Sequence, residues 1–356
     1  MLTIDSSIQE QKEKRSKWID IAKFMAIIAV LIDHTNGILY SNPQIAYFSY
    51  YSVSLFILVM GITSYWSMNK ENRNVVVQIK KKCWGILRPY LVATFIYCIV
   101  QDKFFDLNLY LKHLIHFNAS GPLYYVLLYI QLVIITPVIY TIFKFSEKKR
   151  NGVLVEIIGL IIVLFLSSIT TNYSDLLSVY GGGGKLLGGS YLILFYLGMW
   201  IGKYQIKIRL KKYEAILVFI LSLTITILWW KFIAIDRLQI DSYVPYGRGF
   251  NPPSISFGTY GILWALTICI LGKVLVCFNI SSKIIDLISY LGKHTLYIFL
   301  YHRLFLDFVL PHLALNNLWV KRCVYFGVML IGSIVIEFIL KEAYRGVLKM
   351  YCIESK

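Results

Sequence analysis

Two residues in the first apolar stretch, Lys23 and His34, have the types and spacing to do chemistry. An ammonium group attracts phosphate and carboxylate, and an imidazole with a pKa near ~6.5 takes and returns protons around neutrality. They lie eleven positions apart. On an α-helix that spacing returns them to one face, with an offset of about 20° and a separation of roughly 16 Å along the axis. Asp20 falls one turn before Lys23 and close to the same face. Asp33 is turned about 100° from His34 and reads as a sequence neighbour rather than a facing partner. The stripe suits capture of an anion at one end and proton transfer at the other. A lysine that reaches to a membrane surface, and a packed histidine bonded to a carbonyl, explain either residue alone equally well. They explain the pair on one face less well.

The element that positions them is the stretch 18–40, WIDIAKFMAIIAVLIDHTNGILY. A membrane-crossing helix needs about 20 apolar residues, and this one is long enough. Ionisable groups at membrane depth cost on the order of 2.5–3.5 kcal/mol each, so the helix is expected to turn them toward protein or a wet cavity. Of the 356 residues, 58% are hydrophobic. They fall in blocks close to 20 long, which excludes a pair of soluble domains. An all-α polytopic membrane protein follows, with about ten transmembrane helices near 18–40, 45–66, 83–101, 121–143, 153–171, 187–204, 214–235, 255–277, 287–306 and 322–341.

The formal charge of +17 would point to nucleic acid in a soluble protein. No nucleic-acid-binding motif accompanies it here, so no nucleic acid partner is expected. Lys and Arg instead concentrate in the N-terminal tail and after the second, fourth and sixth spans. By the positive-inside rule both termini are cytoplasmic, with Lys23 near the inner face and His34 in the middle or outer half. Six cysteines show neither a CxxC pair nor zinc-ligand spacing, so no disulfide framework and no metal site is expected. The basic start runs into an apolar block too long for a cleavable signal peptide, which leaves it as an anchor.

Further along, IKKKCWGILRPYL opens the third span and places Arg88 between apolar residues, just before Pro89. Guanidinium suits phosphate, although Lys80, Lys81 and Lys82 are also a positive-inside flank. GPLYYVLLYIQLVIITPVI supplies Tyr124, Tyr125, Tyr129 and Gln131, as acceptor-site groups or, more simply, as an interfacial aromatic belt. The glycine run near Lys185 lacks phosphate-loop spacing and reads as a linker or flexible lid. In DSYVPYGRGFNPPSIS, Arg248 lies among aromatics that suit a carbohydrate chain or an ordinary structured loop. The ninth span, YLGKHTLYIFLYH, carries Gly292, Lys293, Thr295 and His302.

These motifs resemble the integral-membrane acyltransferase-3 family. The first helix matches its basic residue, ten positions, then histidine, with Lys23 where Arg is commoner. Arg88-Pro89-Tyr90 matches its third helix, and Gly292, Lys293, Thr295 and His302 its late helix, with Thr for Ser. The fourth helix is similar to that of Gram-positive members. In the second, Met60-Gly61 stands where the family has Ser-Gly, and Gly61 reads as a close-packing residue. The resemblance covers nearly all of 18–341 as one membrane acyltransferase domain, between a basic tail at 1–17 and a short tail at 342–356. No appended hydrolase-like domain is expected. It implies an O-acyltransferase of a bacterial cell membrane, moving an acyl group, usually acetyl, from cytoplasmic acetyl-CoA to a hydroxyl of a cell-surface glycan. Acetyl-CoA enters as co-substrate, with no tightly bound cofactor.

The implied site has His34 as general base or transient acyl carrier. Lys23, Arg88 and Lys82 bind the donor, and Asp20, Tyr124, Arg248, Thr295 and His302 are acceptor or cavity residues. An exporter of polysaccharide or lipid-linked sugar is the alternative. It predicts an internal repeat between halves, and the Lys-x10-His arrangement has no second copy.

Overall fold

The computed structural model describes residues 2–42, 45, 48–70, 74–102, 105–172, 189, 191–205, 211–234, 255–278, 282–313 and 315–354. Among these residues every regular element is helical. Twelve helices follow in order: α1 (Leu2–His34), α2 (Tyr51–Met68), α3 (Val75–Asp102), α4 (Leu107–His116), α5 (Tyr124–Glu147), α6 (Gly152–Asn172), α7 (Tyr191–Gln205), α8 (Lys212–Trp229), α9 (Ile255–Phe278), α10 (Ser282–Lys293), α11 (Thr295–Leu304) and α12 (Leu318–Glu354). Within the described residues, six segments are long and apolar enough to cross a membrane: Tyr51–Met68, Val75–Gln101, Gly121–Glu147, Lys212–Phe232, Tyr260–Phe278 and Leu318–Gly346. Their outer faces carry Leu217, Ile220, Ile331 and Ile339 exposed, as lipid-facing surfaces require.

α1 is the hub, packed against α2, α9, α10 and α11. Its buried Ala22, Ala26 and Ala29 let neighbouring backbones come close, the usual device where helices associate without a hydrophobic drive between them. A close crossing joins α2 to α7, where a side chain on Gly61 would strike the Phe195 carbonyl and one on Gly198 the Leu58 carbonyl. Gly61 is therefore a packing residue.

Two spans differ from their expected form. α1 stops at His34 rather than Tyr40. Beyond it the chain turns through Gly37 at φ 81°, and the Tyr40 hydroxyl donates back to the Ile32 carbonyl. The expected span 287–306 is broken at His294. α10 leaves Ile284, Leu287 and Tyr290 exposed on one side while Ile285, Ser289 and Gly292 are buried. α11 then continues through a π-helical turn (Phe305–Val309) and a short 3-10 turn (Leu310–His312).

Candidate active site

His34 ends α1, and its Nδ1 lies 2.6 Å from Nε2 of His302 on α11. The rings are near-parallel, at 14°, with centroids 4.9 Å apart. The tautomers follow from what surrounds His302. Its Nδ1 sits 3.0 Å from the Ile298 carbonyl and 2.9 Å from the Phe299 carbonyl. Carbonyls only accept, so Nδ1 carries the proton and Nε2 of His302 offers a lone pair. His34 Nδ1 must then donate to it. That leaves Nε2 of His34 as the basic nitrogen, held in position by a fully buried imidazole. Asp33, read from the helical wheel as turned away, brings Oδ2 to 3.9 Å from that Nε2. Both residues are still helical, and the contact is between side chains of adjacent positions.

Nearer the N-terminal half of α1 lies a cavity of about 580 Å³ whose lining includes Lys23, Lys81, Lys82, Lys293, Thr295 and Ser64. Five helices supply these lysines and the Ser64 and Thr295 hydroxyls: α1, α2, α3, α10 and α11. Lys82 donates to Ser64 Oγ at 3.4 Å, and Lys23 Nζ is 3.5 Å from Asp20 Oδ1. Among the described residues no other carboxylate pairs with these lysines. The inner wall is aromatic: Phe56, Tyr125 and Phe299 line the cavity and touch one another, with the Tyr125 and Phe299 centroids 5.0 Å apart. Phe299 is also 6.2 Å from the His302 ring. Phe299 thus borders the lysine cavity and also neighbours the His302 ring.

A family model described as an acyltransferase domain, that of the acyltransferase-3 family, matches residues 16–340. The chain belongs to this family. Among curated proteins and among solved structures, none matches it. Family membership over nearly the whole chain, together with its long apolar helices, makes the protein a membrane acyltransferase.

The acyltransferase brings together Lys23, Lys82 and Thr295 at the cavity and His34 with His302 beyond it. Asp20 is buried under Lys23, at the lysine end and away from the imidazoles. Tyr124 lies within electrostatic range of Asp33, whereas Tyr125 and Tyr129 face the lysine cavity. Arg248 lies outside the described residues. Arg88 is the correction. It is exposed rather than buried, hydrogen-bonded to the Tyr344 hydroxyl at 3.3 Å and set over the Trp84 ring at 5.3 Å. It is not among the residues that line the cavity, although Lys81, Lys82, Gly85 and Ile86 of the same helix are. The seven positions from Lys81 keep Arg88 near the same helix face, but they carry it about two turns further along α3, where its partners are Trp84 and Tyr344.

Lys293 and Lys81 complete the cavity; the Lys80–Lys82 run is joined to Lys23 by the sequence reading as a cluster to seat the donor, and Lys293 is not. The signal was there in the basic position of GKHT. A different buried cluster was missed altogether. Glu156 of α6, read as part of an apolar span, accepts from Ser146, Trp200, Tyr204 and Lys203. Lys203 had been counted as a loop charge.

Proposed function

We propose that the protein moves an acyl group, with acetyl as the reference case, from cytoplasmic acyl-CoA to a hydroxyl of a carbohydrate on the far side of a bacterial cell membrane. The observation that supports this most is the pairing of His34 with His302, whose ring neighbours Phe299 in the wall of a four-lysine cavity. Acyl-CoA carries several phosphate charges, and Lys23, Lys81, Lys82 and Lys293 match them in sign and in reach. The thioester end then points toward Phe56, Tyr125 and Phe299, whose rings must part to admit it. With the positive-inside bias of the loops, the lysine cavity opens to the cytoplasm and both termini lie there. The remaining short or charged helices bring the crossings to about ten.

In the transfer step His34 Nε2 takes the proton of the acceptor hydroxyl as its oxygen attacks the thioester carbonyl. A C–O bond forms and the C–S bond breaks. The departing thiolate receives the proton from His34, so the imidazole is neutral again at the end of the turnover. His302 does not touch substrate in this scheme. It accepts from His34 Nδ1 throughout, which steadies the imidazolium and keeps Nε2 aimed at the substrate.

Purified protein in vesicles, given labelled acetyl-CoA and a glycan acceptor on the opposite side, tests the reading. His34→Ala is expected to lose on the order of 10³-fold in kcat while still binding acetyl-CoA. Full transfer by that variant removes His34 from the mechanism.

A further inference from the structure

The imidazole pair leaves one nitrogen for a ligand, and a carboxylate lies beside it. Asp33 Oδ2 is 3.9 Å from His34 Nε2, too far for a direct hydrogen bond. An ionised carboxylate and this nitrogen are both acceptors, so neither satisfies the other. Two acceptors at that spacing suit two donors a little closer together, the arrangement of adjacent hydroxyls on a sugar ring. Both side chains remain reachable, at 25% exposed for His34 and 28% for Asp33.

The surroundings leave Asp33 to such a ligand. Arg303, the cation nearest the imidazoles, is committed to Asp307 at 3.0 Å. Among the described residues no lysine or arginine pairs with Asp33. Tyr124 and Tyr191 lie within electrostatic range of its carboxylate, and aromatic rings beside a carboxylate are a common way to hold a sugar. The tight turn after α1, with Gly37 at φ 81° and Tyr40 bonded to Ile32, fixes Asp33 and His34 at one helix end.

We propose that Asp33 reads the acceptor: it takes a hydrogen bond from the hydroxyl next to the one that His34 deprotonates, so the enzyme selects vicinal diols. The inference rests on the acyl-transfer reading above and adds the acceptor's local chemistry to it. The lysine cavity plays no part in this choice.

The test uses the full protein in vesicles with acetyl-CoA and methyl pyranosides of gluco, galacto and manno configuration, each beside its 3-deoxy analogue, the one monodeoxy form with no two adjacent hydroxyls. The wild type is expected to favour a diol over the matching monodeoxy sugar by at least about 100-fold in kcat/KM, since a site built to bond a hydroxyl rejects ligands that lack it. Asp33→Ala should reduce that preference below about tenfold without moving the KM for acetyl-CoA, which also reports that the variant is folded. Asp33→Asn, whose amide oxygen still accepts, should keep part of the preference. A wild type that acetylates diol and monodeoxy sugars equally, or an Asp33→Ala that discriminates as before, overturns the inference and leaves acyl transfer standing. A wild type that acetylates none of them overturns both.

Discussion

The bundle gathers lysines in two places, one buried and one open, and treats them in opposite ways. Lys203 is 7% exposed and meets Glu156, itself 1% exposed. That carboxylate also accepts from Ser146 at 2.6 Å, Trp200 at 2.7 Å and Tyr204 at 2.9 Å. Every lone pair on it has a donor. The cavity at the other cluster gathers Lys23, Lys81, Lys82 and Lys293 around the single nearby carboxylate of Asp20, 3.5 Å from Lys23. A charge in low dielectric is tolerated when paired and bonded. The first cluster meets that condition by itself; in the second, Lys81 and Lys293 are exposed and Lys23 and Lys82 half-buried, so their charge is left to solvent or to an anionic guest. The first is part of the fold, and the second is a site.

The sharpest way to break the comparison is to remove one partner from each cluster. Glu156→Ala strands Lys203 inside the protein and is expected to cost about 3–5 kcal/mol of stability, seen as a lowered Tm in detergent and poor recovery from membranes. Loss of a cavity lysine should leave the Tm where it is or raise it slightly, by relieving repulsion. A Glu156→Ala protein as stable as the wild type would erase the distinction between the clusters.

Next in size is the imidazole pair. His302→Ala removes the acceptor for His34 Nδ1–H and frees the ring to rotate or change tautomer. A fall in kcat on the order of 10²-fold is expected, with the KM for acetyl-CoA unmoved. His302→Gln, whose side-chain oxygen can accept the same hydrogen bond, should recover part of the rate and restore the shape of the pH profile. A purely structural His302 would show no such rescue, only a common loss of folded protein.

The donor cavity should show smaller, graded effects. Lys82→Ala and Lys293→Ala each remove a charged hydrogen bond worth about 1.5–3 kcal/mol, and a rise in KM for acetyl-CoA of roughly tenfold or somewhat more is expected from each. Added salt should raise the wild-type KM and flatten the difference between wild type and variant. Insensitivity of both variants to acetyl-CoA concentration would move the donor elsewhere.

Much of the site was legible in the sequence because helices convert spacing into geometry. Eleven positions from Lys23 to His34 do set both on the inward side of α1, and charges that a lipid face would not accept marked that helix as central. What periodicity does not carry is where a helix ends. The stop at His34 sets the imidazole pair at the very end of α1, and the break at His294 has Lys293 and Thr295 lining one cavity from two helices. The Glu156 network escaped notice because a lone carboxylate in an apolar run acquires meaning only from partners far along the chain. His302 was legible as a cavity residue through family resemblance, but its proton bookkeeping needed the Ile298 and Phe299 carbonyls in view.

Arg88 carries the smallest expected effect and tests how far resemblance can be carried residue by residue. Its place in Arg-Pro-Tyr suggested a donor ligand, yet its guanidinium bonds the Tyr344 hydroxyl and covers the Trp84 and Tyr344 rings. That arrangement ties the exposed side of α3 to the late part of α12. Cation–aromatic contacts at exposed sites are worth about 0.5–1 kcal/mol, so Arg88→Ala should lower the Tm slightly and leave the KM for acetyl-CoA within about twofold of the wild type. Lys82→Ala, six residues earlier on the same helix, should show the reverse pattern. If instead Arg88→Ala raises the KM as much as Lys82→Ala, the donor extends along α3 as far as Arg88, and the boundary between site and scaffold must be redrawn there.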